Sequence, residues 1–175
     1  MLLRAVYRIA AATLLCVVFV VPALAQETFL FRAGPLSLDL PSTWQFKSDR
    51  GSIEGKGPNG EVAIVSVRRM KPDAPQEVRD QHMKVVRGFA RDAMPGLASK
   101  NGEVVGPVVE SEIPDNRVMF ASATKTSRMF KEGFFLQYLL ASPTSMVYIT
   151  FEGTGSATEA MRYFGEVVAK HRWVE

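Results

Sequence analysis

The spacing of apolar residues changes character several times along this chain, and each change marks an element. Leu36, Leu38 and Leu40 alternate with Ser37 and Asp39, a period of two that predicts a half-buried strand. A shorter strand, Phe29–Arg32, precedes it across the turn residues Gly34-Pro35. Pro41 ends the second strand, and Trp44 and Phe46 follow as expected core anchors. Asn59-Gly60 then stands between Ser52–Lys56 and Glu61–Arg68, the strongest short-range hairpin signal a sequence carries. In the second arm Ala63, Val65 and Val67 alternate with Val62, Ile64, Ser66 and Arg68, so one face is apolar.

After Asp73 the spacing becomes helical. Asp73 is placed to cap, Pro75 suits a first turn, and Gln76 three residues on approximates a capping box. Val78, Val85, Val86, Phe89, Ala90 and Ala93 gather on one face, with Arg79, Asp80, Lys84, Arg87 and Arg91 on the other. Pro95-Gly96 is expected to stop this helix. From Glu103 the pattern becomes an antiparallel meander. Val104–Ile113 turns at Pro114-Asp115-Asn116 into Val118–Thr126, and Lys131-Glu132-Gly133 turns into Phe134–Leu140. Ser142-Pro143-Thr144 then turns into Met146–Phe151. Phe134–Leu140 is apolar on both faces except at Gln137, so it should be central and covered on both sides. A second helix begins at Ser156, with Glu159 completing a capping box and a stripe of Met161, Phe164, Val167, Val168 and Trp173. This order predicts an α+β domain, an antiparallel sheet flanked by two amphipathic helices.

The N-terminus follows a different logic. Arg4 and Arg8 precede an apolar run from Ile9 to Val21, then Pro22 and the small residues of Ala23-Leu24-Ala25. That is the order of a signal peptide over residues 1–25, cleaved after Ala25. The alternative is an uncleaved anchor, and a run of 13 residues is short of the roughly 20 that span a bilayer. Leu15 before Cys16 does not suit lipidation, and Arg4 and Arg8 are not adjacent as a twin-arginine signal requires. Setting the leader aside changes the composition. It holds two of the 21 basic residues, none of the 18 acidic ones and the single cysteine, so 19 basic and 18 acidic side chains remain. The net charge of +3 falls to +1. No nucleic-acid partner is expected of so balanced a chain. The remaining 150 of the 175 residues suit one domain, periplasmic or secreted, held together by its core without disulfides.

Leu36–Trp44 (LSLDLPSTW), the Asn59-Gly60 hairpin, one long helix, a meander and a final helix closing in Trp173 together resemble the PsbP-like fold. The resemblance spans nearly all of residues 26–175. That fold is shared by an extrinsic photosystem subunit, a Ran-binding nuclear import factor, DcrB-type bacterial envelope proteins and effector chaperones of type VI secretion. Thr43 stands where members often have glycine before the tryptophan. The resemblance implies an α/β/α sandwich and a non-catalytic adaptor or accessory role. It names no partner, because the fold's members bind unrelated ones.

Catalytic parts are sparse. Residues 26–175 lack cysteine, which excludes thiol catalysis and thiolate zinc sites there, and no cofactor or metal is expected. His82 and His171 are far apart, and neither has a partner histidine at helical spacing. Neither a Gly-x-Ser-x-Gly elbow nor a His-Glu-x-x-His pair occurs. Gly153-Thr154-Gly155-Ser156 follows a strand and opens a helix, as phosphate loops do. Thr158 stands where the third fingerprint glycine would fall, which favours a turn with a cap. Glu110 and Glu112 share a strand face and read as charges on a solvent-facing edge. The best partner-binding candidate is basic. Lys125, Arg128 and Lys131 surround Met129-Phe130 at a hairpin end, and Arg68, Arg69 and Lys71 close another strand. In the competing reading Met129 and Phe130 tuck into the core and leave only solvated charges.

The expected function is therefore an exported, non-enzymatic envelope protein. It would act as an adaptor, accessory or immunity-type module that binds an envelope or secreted protein. The same cations could meet an anionic membrane surface. The alternative is a carrier of a small hydrophobic ligand between sheet and helix, given Phe, Met and Val on both faces of the meander. A hydrolase with an unrecognised triad is third.

Overall fold

The computed structural model describes residues 27–49, 52–71, 73–128 and 131–174. The expected signal peptide, and Met129 and Phe130, lie outside the described residues. Antiparallel pairing organises the rest into two sheets. The smaller contains β1 (Thr28–Ala33), β2 (Leu36–Pro41) and β11 (Arg172–Trp173), in the order β1-β2-β11. Its first turn requires glycine at Gly34. There φ is +62°, and a Cβ would come within 2.5 Å of Val67 Cγ1. The larger sheet runs from β3 (Gln45–Asp49) through β4 (Ser52–Lys56), β5 (Val62–Arg69), β10 (Ser145–Thr154) and β9 (Lys131–Ala141). It ends on β8 (Arg117–Arg128) and β6 (Glu103–Val104), with β7 (Val109–Ile113) also paired to β8.

Helices cover both faces. One face carries α3 (Ala157–Ala169), and the other carries α1 (Gln76–Gly88), a π-helical turn (Phe89–Ala93) and α2 (Met94–Asn101). The central strand β9 alternates between two cores, as its apolar run predicts. Leu136, Tyr138 and Leu140 pack on the α3 side, while Leu139 and Ala141 pack under α1 and α2. On the α3 side Phe164 stacks on Phe151 with centroids 4.2 Å apart and meets Trp44 edge-on at 6.1 Å. Ser156 caps α3 by accepting the Glu159 N–H at 3.5 Å. The buried stripe of α3 is Ala157, Ala160, Phe164 and Val168. Met161 falls off that stripe and is 43% exposed. Trp173 lies beyond the helix, in β11 opposite Leu36.

The first helical region departs furthest from expectation. Its buried row is Val86, Ala90, Met94 and Ala98, whereas Val78 and Val85 face solvent. Asp73 does not cap; Pro75 occupies the N-cap position without a side-chain hydrogen bond. Pro95-Gly96 does not stop the helix, which continues to Asn101. The π-helical turn explains this. The Met94 N–H reaches back five residues to the Phe89 carbonyl, which resets the spiral so that Pro95 sits in a first turn. A missing N–H costs little there.

Three strand expectations also change. Residues 104–113 form not one strand but two, because Gly106-Pro107 interrupts the ladder between β6 and β7. Lys131-Glu132-Gly133 belongs to β9 rather than to a turn, paired from Gly133↔Thr126 to Lys131↔Arg128. Phe46 lies in a strand, β3, that the pattern had not announced. The Asn59-Gly60 hairpin forms through a five-residue connection, 57–61, closed by the Gly57 N–H donating to the Glu61 carbonyl at 2.8 Å. The Gly60 N–H donates to the Gly57 carbonyl at 3.3 Å, and only Gly60 has a positive φ, +85°.

Candidate functional site

The π-helical turn and the broken edge strand face each other across a groove of about 660 Å³. Ala90, Pro95 and Ala98 form one wall, Gly106, Pro107 and Val108 the other, and Phe120 with Ser122 the floor. Two local breakers thus line one concavity. Neither could pack flush: the π turn widens the spiral, and Gly106 brings no side chain to fill the space. Leu97, Val104, Val105 and Val109, on the elements that form these walls, are 36% to 57% exposed. The size falls within the range of ligand pockets.

A buried polar chain holds the floor. Gln137, the exception in the apolar β9 run, is completely buried. Its Nε2 donates to the Met94 carbonyl at 3.1 Å and to Ser122 Oγ at 2.9 Å, and its Oε1 accepts from the Tyr148 hydroxyl. Tyr148 in turn meets Phe89 of the π turn edge-on at 5.4 Å. Sheet and helix restart are therefore tied together at both ends of the π turn. Burial pushes the Tyr148 phenol up to about 12, so it remains a neutral donor across the ordinary pH range.

Charge is confined to the rim. Arg87 Nη1 meets Glu110 Oε1 at 2.5 Å, joining α1 to β7, with both side chains nearly half exposed. Exposed pairs of this kind add at most about 1 kcal/mol. Arg91 bonds its neighbour Asp92 at 2.8 Å, and that hydrogen bond holds the Asp92 carboxyl below its ordinary value.

The basic residues singled out from the sequence do not converge. Lys125 and Lys131 lie on the β8–β9 hairpin, where Arg128 pairs with Lys131, and Lys125 Nζ is 3.8 Å from Glu132. Arg68 and Arg69 pair with Met146 and Ser145, at the opposite end of β10 from Thr154 and Gly133. Nine residue steps along β10 separate the two ends, about 30 Å. Sequence proximity to strand ends said nothing about which end. His82 sits on α1 and His171 just after α3, on opposite faces of the sheet. His171 Nδ1 lies 2.9 Å from the Val168 carbonyl, and burial lowers its pKa. Gly153 and Thr154 end β10, and Gly155, at φ +111°, donates its N–H to the Glu132 carbonyl and leads the chain into the α3 cap at Ser156. The groove itself was missed. Its signals were two breaker dipeptides: Pro95-Gly96, read only as an ending, and Gly106-Pro107, passed over inside a single expected strand.

A small sheet lies beside a larger antiparallel one with helices on both faces, and the solved structures that align with it show a PsbP-like fold. Among solved structures, LpqN of Mycobacterium tuberculosis, described as involved in cell envelope biogenesis, aligns with a TM-score of 0.53 at 11% identity. The alignment covers 85% of this chain and 91% of that one. The cyanobacterial PsbP of Synechocystis aligns at 0.50 and 10% identity, over 87% of this chain and 95% of that one. A structure from Bacteroides thetaiotaomicron aligns at 0.48 and 15% identity over 85% of this chain, which spans about half of its partner, 48%. No protein-family model matches the sequence, and no curated protein matches it. At such identities the likeness concerns the fold alone. Among the described residues no helix is long and apolar enough to cross a membrane.

Proposed function

We propose that this protein is a non-catalytic accessory protein of the cell envelope that binds an envelope protein through the groove between the π turn and the broken edge strand. The observation that carries the reading is the pairing of those two interruptions around one apolar concavity. Local departures from regular structure that leave a hollow instead of filling it are a mark of sites rather than of packing. The leader-like residues 1–25 and the envelope role stated for LpqN support an extracytoplasmic setting. Separation of His82 from His171 across the sheet supports a binding rather than a hydrolytic role.

Gly106 offers the test, because a side chain added there meets nothing within 4 Å. A photo-crosslinking amino acid in place of Gly106 should yield a discrete adduct with one envelope protein in cells. The same group in place of Glu166, exposed on α3, should not. Equal adducts from both positions, or none from 106, would overturn the proposal. A second reading, a carrier of a small hydrophobic ligand, is favoured by the groove's mostly apolar walls and its volume. Native mass spectrometry separates the two: a carrier retains a bound mass that Gly106→Trp removes, whereas a protein-binding groove arrives empty.

A further inference from the structure

We propose a second binding site, for an organic cation bearing an ammonium or guanidinium group, in the cavity at the start of α3. It lies on the face of the sheet opposite the groove and encloses about 340 Å³. Trp44, Phe134 and Tyr163 supply aromatic wall, with Pro41 and Pro58 beside them, and Glu61 supplies a carboxylate.

Glu61 is held in position rather than waving in solvent. Its Oε2 accepts the Asn59 backbone N–H at 2.9 Å, and its Oε1 accepts Asn59 Nδ2 at 3.0 Å. The side chain lies across two positions without side chains of their own. A Cβ on Gly57 would fall 2.5 Å from Glu61 Oε2, and one on Gly153 would fall 3.3 Å from Glu61 Cγ. Despite this placement, Glu61 has no cationic partner among the described residues, and neither does Glu159 at the rim. The unneutralised charge reaches the wall: the Tyr163 phenol is raised by burial and then by Glu61.

The N-terminus of α3 opposes a cation, since it carries about half a positive charge. Two full carboxylates outweigh it, and Ser156 already occupies one of its free N–H groups. Tyr163, 43% exposed, leaves part of its ring open at the mouth. An electron-rich ring beside a fixed carboxylate is the arrangement that recognises ammonium and guanidinium groups. The volume admits one such group with a short stem, not a large ligand.

The test is an NMR titration of the full protein at constant ionic strength with two probes, tetramethylammonium chloride and N-acetyl-arginine amide. The Trp44 indole and Tyr163 ring signals should shift saturably. Glu61→Gln keeps the size and one acceptor, and should weaken binding about fivefold or more. Tyr163→Leu, on an exposed helical position, should weaken it as well while leaving the hairpin untouched. Glu112→Gln, an exposed carboxylate on β7, should change nothing. A response to tetramethylammonium alone assigns the site to a small quaternary amine, and a response to the arginine amide alone assigns it to a side chain of a protein. Absence of saturable shifts with both probes, or equal binding in Glu61→Gln, would overturn the proposal.

Discussion

The two faces of the large sheet are built on different terms. On the α3 side the described residues gather twenty buried apolar side chains around stacked aromatic rings, under one uninterrupted, capped helix. On the opposite side seven suffice, several of them alanine or valine, under a helix broken by a π turn and restarted at a proline. Large rings interdigitate and leave a smaller cavity, at the start of α3, whereas a row of Ala90, Met94 and Ala98 approaches the sheet closely and leaves its flank open. The difference teaches how a small domain without disulfides can afford a groove. One face supplies the stability, which frees the other to leave apolar surface unpacked.

Unequal faces should respond unequally to truncation. Phe164→Ala, which removes the ring at the centre of the α3-side stack, should cost about 3–5 kcal/mol by urea unfolding. Val108→Ala, on the groove wall, should cost no more than about 1 kcal/mol. Similar losses would end the distinction between a tightly packed face and a loosely packed one.

The groove face has a polar anchor at Gln137, and it can be removed separately. Tyr148→Phe leaves Gln137 Oε1 without its donor and should cost about 1–3 kcal/mol. Alkaline pH probes the same group. Burial raises Tyr148 and Tyr138 from 10.0 to about 12 in the folded state. A raised folded pKa means that their contribution is complete below about pH 10 and is lost as pH climbs towards 12. Urea midpoints should therefore fall between pH 10 and 12, and fall less steeply in Tyr148→Phe. An unchanged pH slope in that variant would sink this account of Tyr148.

The smallest contrast lies at the helix starts. Ser156→Ala should cost about 1 kcal/mol, because it removes the cap of α3. Asp73→Ala should stay within about 0.5 kcal/mol, because α1 starts at Pro75 without a side-chain cap. Equal values would mean that the Ser156 bond, at 3.5 Å, contributes nothing.

Legibility followed the range of the interactions. Period-two alternation in Leu36–Leu40 and the double-sided run of β9 report burial directly, so those strands were readable, as was the Ser156 cap. Gln137 stood out as the exception within its strand, but its role could not be read, because Met94, Ser122 and Tyr148 come from elsewhere in the chain. Pro95 misled for a related reason. Proline ends a helix only if the spiral presents it at an interior position, and the π turn four residues earlier had already shifted that frame. Gly106-Pro107 was hidden inside a run that still alternated well enough to pass for one strand.

The sequence by itself determined an α+β domain, the central place of β9, the amphipathic helices and a cysteine-free interior, because each depends on neighbours a few residues apart. Only the tertiary structure decided that Arg68 and Arg69 stand about 30 Å from the β8–β9 hairpin, since strand direction and register set which ends meet. It also decided that two breaker dipeptides eleven residues apart line one groove, and that Glu61 lines a cavity with Trp44 and Tyr163 with no cationic partner among the described residues. Those juxtapositions are made by sheet order, which local periodicity does not encode.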